Sequence, residues 1–130
     1  MKRTMGVLVA MVLAVGIVYA QKAPQGEEYE QWMKDVRQSI RGFNNAYTDM
    51  NMANATEAID ILAETFGKME AHWESQGKED AVTWSKESKG HMVEAQGKMK
   101  LNDIAYALNL VELAQRNCRS CHQAYRPPAP

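Results

Sequence analysis

Residues 104–125 read IAYALNLVELAQRNCRSCHQAY, and this stretch decides the fold. Alternating steps of four and three from Ile104 give Leu108, Val111, Gln115, Cys118, His122 and Tyr125. A seven-residue period of this kind marks an amphipathic helix that packs in a bundle. Asn102 or Asp103 caps its start, and Pro127 and Pro128 end it. Its last turns hold Cys118 and Cys121, the two cysteines of the chain, with His122 directly after them.

On a helix, Cys118 and Cys121 are three apart and Cys118 and His122 are four apart, so all three share one face. Cys-x-x-Cys-His is the attachment signature of a c-type haem. Two thiols so spaced bond the two vinyl groups along one porphyrin edge, and the imidazole reaches the iron as proximal ligand. Three rival readings compete with it. A local disulfide suits an oxidising compartment. A thioredoxin-like pair needs a strand–helix–strand context, and the pattern shows no strands. A zinc site needs two more ligands, and the other histidines are His72 and His91.

Three more helices precede this one. The first, about 27–50, has the seam Tyr29, Met33, Val36, Ile40, Phe43, Tyr47 and Met50. Glu27, Glu28 and Glu30 favour the dipole of its first turn. Asn54 with Glu57 has capping-box character for the second, whose seam is Ala55, Ile59, Leu62, Phe66, Met69 and Trp73. That helix runs to about Gln76, with Gly77 as its stop. Glu79 and Asp80 open the third, with the weaker seam Ala81, Trp84 or Ser85, Ser88, Met92, Ala95 and Met99. The expected fold class is all-α, an up-down-up-down antiparallel four-helix bundle with covalently bound haem. Gly42, Gly67 and Gly90 sit inside helices, and at least two of them are expected to face outward.

The chain has 130 residues, enough for one domain. Its first twenty read as a secretory signal peptide: a basic start at Lys2 and Arg3, an apolar run from Val7 to Val18, and Val18-Tyr19-Ala20 before the cut. The run is shorter than the ~20 residues of a spanning helix. Expected domains are therefore a leader over 1–20 and a haem c bundle over 21–130, exported to the periplasm with no stable membrane insertion. Without Lys2 and Arg3, 13 basic residues face 16 acidic ones, a formal charge of −3. That balance argues against nucleic acid or an anionic membrane as partner.

Antiparallel order puts His122 at the end of the bundle that holds the start of the first helix, the finish of the second and the start of the third. Met33, Met69, His72, Trp73 and Trp84 are the pocket candidates there. Met33 offers a soft thioether for the second axial position, and His72 is the rival, giving a bis-histidine iron of lower potential. His91 is expected on the flank, away from the iron. Arg126, four residues after His122, shields the imidazole, pairs with a haem propionate, or is a solvated terminal arginine. Tyr125 is expected to pack.

With these residues in view, the sequence resembles the class II c-type cytochromes, four-helix bundles whose haem motif lies near the C-terminus. The ending Cys118-Arg119-Ser120-Cys121-His122-Gln123-Ala124-Tyr125-Arg126 is similar to that family's motif, two further residues, an aromatic and a basic residue. Trp32-Met33-Lys34-Asp35 is similar to the stretch that supplies a methionine ligand in the low-spin, cytochrome c-556 branch. The chain departs from the family in its tighter loops. The resemblance implies one haem c, with metal ligands His122 and Met33 and cofactor contacts from Cys118, Cys121, His122 and Arg126. It implies a non-enzymatic one-electron carrier that meets redox partner proteins, with a homodimer left open. The first alternative is a cytochrome c-prime-like protein with five-coordinate iron that binds NO or CO. The second is a haem-free, disulfide-bonded bundle.

Overall fold

The structure is a computed structural model and describes residues 25–128. The leader expected over 1–20 lies outside the described residues. Four helices follow one another: α1 (Glu27–Thr48), α2 (Met52–Ser75), α3 (Glu79–Lys100) and α4 (Ile104–Tyr125). No strand occurs among the described residues, and no helix there is long and apolar enough to cross a membrane. The four pack against each other as the expected four-helix bundle.

Cross-helix bonds run in opposite order along neighbouring helices, which makes them antiparallel. Between α2 and α3, Lys89 pairs with Glu70 at 2.6 Å and Gln96 donates to Asp60 at 2.8 Å. Between α3 and α4, Asn117 donates to Ser88 at 3.3 Å, and Tyr125 donates to Asp80 nearer the other end. The core runs through all four helices and includes Phe43, Ile59, Leu62, Trp73, Met92 and Val111. Each of these hides an apolar side chain worth roughly 1.5–3 kcal/mol of transfer energy.

The three loops share one design. Asp49-Met50-Asn51, Gln76-Gly77-Lys78 and Leu101-Asn102-Asp103 each place the middle residue at positive φ (54°, 65° and 57°). The third residue then donates back to a helix carbonyl, as Asn51 to Ala46 (2.8 Å), Lys78 to Trp73 (3.1 Å) and Asp103 to Lys98 (2.9 Å). These are Schellman ends. The same third residue begins the next helix. Asn51 accepts from Asn54 N–H at 3.0 Å, and Asp103 accepts from Tyr106 N–H at 3.0 Å. The cap of α2 is therefore Asn51, where the sequence pattern pointed to Asn54. Asn51 is already fixed by α1, so α2 begins one turn earlier than expected. Gly77 is the stop that was expected, and Gly42 and Gly90 are exposed with open space where a Cβ would point.

Neighbours in sequence are neighbours in space: α1 packs along α2, α2 along α3 and α3 along α4. α1 and α4 close the ring and meet only sparingly. That thin seam runs past the Cys-x-x-Cys-His motif.

Candidate functional site

The motif occupies the last turns of α4, where its side chains differ in depth. Cys121 is buried, Cys118 is half-buried and His122 is exposed. The heptad had put His122 on the buried stripe. The buried stripe instead runs Ile104, Ala107, Leu110, Val111, Ala114, Cys121 and Tyr125. The stripe leans toward α3, the close neighbour on that side, where Asn117 reaches Ser88. Leu108, Gln115 and Cys118 are left half-buried, and His122 and Arg126 exposed, on the flank that turns toward α1.

α1 leans the opposite way. Val36 and Phe43 point inward, and Ser39 and Ala46 are buried on the α2 side. At 100° per residue, Met33, Arg37 and Ile40 then fall on the flank toward α4. Met33 and Ile40 are half-buried and packed against the core. Electrostatics agree with this placement, since the charge of Arg37 on α1 reaches His122. Tyr29, one turn before Met33, has its hydroxyl beside the Cys121 thiol. Met33 is thus bracketed by two residues that bear on the motif, and it borders the thin seam at the motif's depth.

A polar-aromatic floor lies under the motif, which the sequence reading did not resolve into partners. The Trp73 indole N–H donates to the Tyr29 hydroxyl at 3.1 Å, and the two rings meet edge to face at 5.5 Å. Tyr125 lies against the other side of Trp73, with ring centres 4.8 Å apart. Its hydroxyl donates to Asp80 in the first turn of α3. Trp73 is 1 % exposed and Tyr29 is 8 %, so this network joins α1, α2, α3 and α4 where α4 ends. Burial raises the Tyr29 hydroxyl well above its ordinary range. Burial and the bond to Asp80 raise Tyr125 to about 12. Antiparallel order placed these residues at one height. The heptad could not reveal their hydrogen bonds, because it codes apolar faces only.

The other candidates are dispersed. Met69 is a core residue, and Trp84 is half-buried against the core. His72 donates to the Gln25 side-chain oxygen at 3.1 Å, and its ring packs on Tyr29 at 4.7 Å. Burial lowers its pKa while the charge of Glu28 opposes that shift, so His72 faces the α1–α2 side of the bundle. His91 is half-buried on α3, well before the motif end. The charge of Arg126 reaches His122, as expected for residues four apart.

Both thiols are unlinked. Burial raises the pKa of Cys118, and burial with the neighbouring Cys118 raises Cys121 to about 11. Both are therefore neutral thiols at pH 7. Burial, then the charges of Arg126 and Arg37, lowers the pKa of His122 and favours its neutral, ligating form. No hydrogen bond among the described residues engages its ring. No group of three or more His, Cys, Asp or Glu that could hold a metal ion occurs among the described residues, so a zinc cage lacks its ligands. Surface concavities lie away from the motif, around Gly77–Glu79 and between Gln38 and Ile61.

The donor set fits a c-type haem. It comprises two neutral thiols three apart, a neutral imidazole next to them, and a thioether across a seam that protein packing leaves thin. Compared with protein-family models, with characterised proteins and with solved structures, the chain finds no match.

Proposed function

We propose that the chain is a periplasmic monohaem c-type cytochrome of the class II kind that carries one electron. The observation that carries this reading is the α1–α4 seam, bordered by Met33 on one helix and by the Cys118–Cys121–His122 motif on the other. Cys118 and Cys121 would hold the haem through thioethers, and His122 and Met33 would supply the ligands of its iron. When bound, the haem supplies a one-electron couple, and methionine opposite histidine sets it higher than two histidines would.

The rest of the site follows from the chain's own side chains. Burial and the charges of Arg126 and Arg37 lower the His122 pKa, which favours the unprotonated imidazole over the protonated one. Buried Trp73 and Tyr29 fix the floor beneath Cys121 and exclude water from the thioether side. Arg126 offers a positive charge beside the imidazole, suited to a propionate. Export to the periplasm is part of the proposal, because the haem is attached after the chain leaves the cytoplasm. His72 is disfavoured as a ligand, since its ring is held by Gln25 and Tyr29 on the far flank of α1.

A visible spectrum of the exported protein tests the reading. A c-type pyridine haemochrome, a six-coordinate spectrum and no change on adding carbon monoxide to the reduced form are expected. Met33→Ala should convert this spectrum to a five-coordinate one. Prompt carbon monoxide binding by the parent protein would make it an open, gas-binding site. Absence of any Soret band would leave a haem-free bundle.

A further inference from the structure

Four aromatic rings follow one another at the motif end. Trp32 is half-buried on α1, and its ring centre lies 5.8 Å from that of Tyr29. Tyr29 lies 5.5 Å from Trp73, and Trp73 lies 4.8 Å from Tyr125. The series runs from a partly exposed indole through the core to a phenol that is 7 % exposed. Its two phenols differ in their polar partners. The Tyr125 hydroxyl donates to the Asp80 carboxylate, a base. The Tyr29 hydroxyl accepts from the Trp73 indole N–H and donates to no carboxylate among the described residues.

Removing one electron from a phenol or an indole makes its O–H or N–H far more acidic, so the radical settles where a base stands ready. Trp73 has no such base. Its N–H points at a phenol oxygen, so its radical cation keeps the proton and with it the oxidising power. Tyr125 has its base in Asp80. Aromatic residues outside the series lack this setting. Trp84 forms no ring contact among the described residues. Tyr106, 42 % exposed at the other end of α4, carries the Lys98 ammonium over its ring, and that positive charge opposes loss of an electron.

We infer that Trp32, Tyr29, Trp73 and Tyr125 form a one-electron relay that stores an oxidising equivalent on Tyr125. A one-electron oxidant takes an electron from Trp32 and is itself reduced. Trp73 refills Trp32 across the Tyr29 ring, and Tyr125 refills Trp73. As Tyr125 gives up its electron, its hydroxyl proton passes to the Asp80 carboxylate. The net change is one electron to the oxidant and one proton from Tyr125 to Asp80, with the O–H bond alone broken. Glu27, Glu28 and Glu30 lie in the first turn of α1 next to the entry at Trp32, so the relay favours a cationic oxidant. The relay consists of the chain's own side chains and stands apart from the haem reading.

The test exposes the exported protein, with any haem kept ferric, to photogenerated tris(bipyridyl)ruthenium(III) and reads radicals by freeze-quench electron paramagnetic resonance. A tyrosyl signal is expected. Tyr125→Phe keeps the ring against Trp73 and should abolish that signal, leaving a tryptophan radical in its place. Asp80→Asn keeps an acceptor oxygen without the base and should slow the rise of the signal roughly a hundredfold. Trp32→Phe should lower the yield, whereas Trp84→Phe and Tyr106→Phe should leave it unchanged. A tyrosyl signal that survives Tyr125→Phe would overturn the inference. So would equal losses in the Trp84 or Tyr106 variants, a rise in Asp80→Asn as fast as the parent's, or the absence of any tyrosyl signal in the parent.

Discussion

The seam between α2 and α3 and the seam between α1 and α4 belong to the same bundle and are finished differently. Along the first, Ile59, Leu62, Phe66 and Met69 face a stripe ending in Met92, Ala95 and Met99, with little exposed. The polar pairs Lys89–Glu70 and Gln96–Asp60 cross its outside. Along the second, Met33, Ile40, Leu108 and Cys118 are each half-buried. One seam is closely packed and the other is thinly packed. The lesson is that the reading of a Cys-x-x-Cys-His motif depends on how closely the neighbouring helix covers it.

The largest effect is expected where the motif end is tied together. Trp73→Ala removes the residue that joins Tyr29 to Tyr125 and should cost about 3–5 kcal/mol in urea unfolding. A cost under 1 kcal/mol would mean that the floor is not part of the fold's core. Next comes a direct contrast of interior and seam. Met92→Ala, at 0 % exposure, should cost about 2–5 kcal/mol. Ile40→Ala, half-buried on the thin seam, should cost about 1 kcal/mol in the haem-free chain, because part of its surface is already in water. Equal costs would erase the distinction between the seams.

A pH experiment addresses Cys121. Its thiol pKa is raised from 9.0 to about 11 on folding, so the neutral thiol favours the folded state. That contribution is full below pH 9.0 and is lost as pH rises through about 11. It amounts to about 3 kcal/mol. The haem-free chain should therefore unfold progressively over this window, and Cys121→Ala should flatten the slope. An identical slope in the variant would assign the loss to Tyr29 and Tyr125. The smallest expected effects lie far from both seams. Gly42→Ala and Gly90→Ala place a methyl in open space on helix interiors and should each raise stability by about 1 kcal/mol in thermal unfolding.

The four helices were legible because their apolar residues recur with one period and the breaks between them are short. The motif was legible because it holds the two cysteines of the chain. The cap of α2 was misread because Asn51 and Asn54 are chemically the same and three apart. The choice falls to Asn51 through its backbone bond to Ala46, a tertiary fact. Met50 at positive φ left no trace in the pattern, since methionine has no preference for that region. The exposure of His122 was hidden for a related reason. A heptad treats both sides of its seam alike, and it does not say which neighbour stands close. Tyr29 carried a signal that could have been used, as it shares its height with Cys121 in any antiparallel arrangement.

The double duty of Asn51 and Asp103 has a consequence for the motif at the other end. Each closes one helix and starts the next without a spare residue, so paired helices share a common zero. Height along the bundle is then counted in residues from that zero, at about 1.5 Å per residue. Met33 and His122 owe their level to these counts, one back along α1 and the other forward along α4. A single deletion inside 105–117 would lower His122 by one rise and turn it by about 100°, carrying the imidazole off the seam while leaving the motif itself intact. The chain thus works as a ruler, and the position of the imidazole is written in helix length as much as in the five residues of the motif.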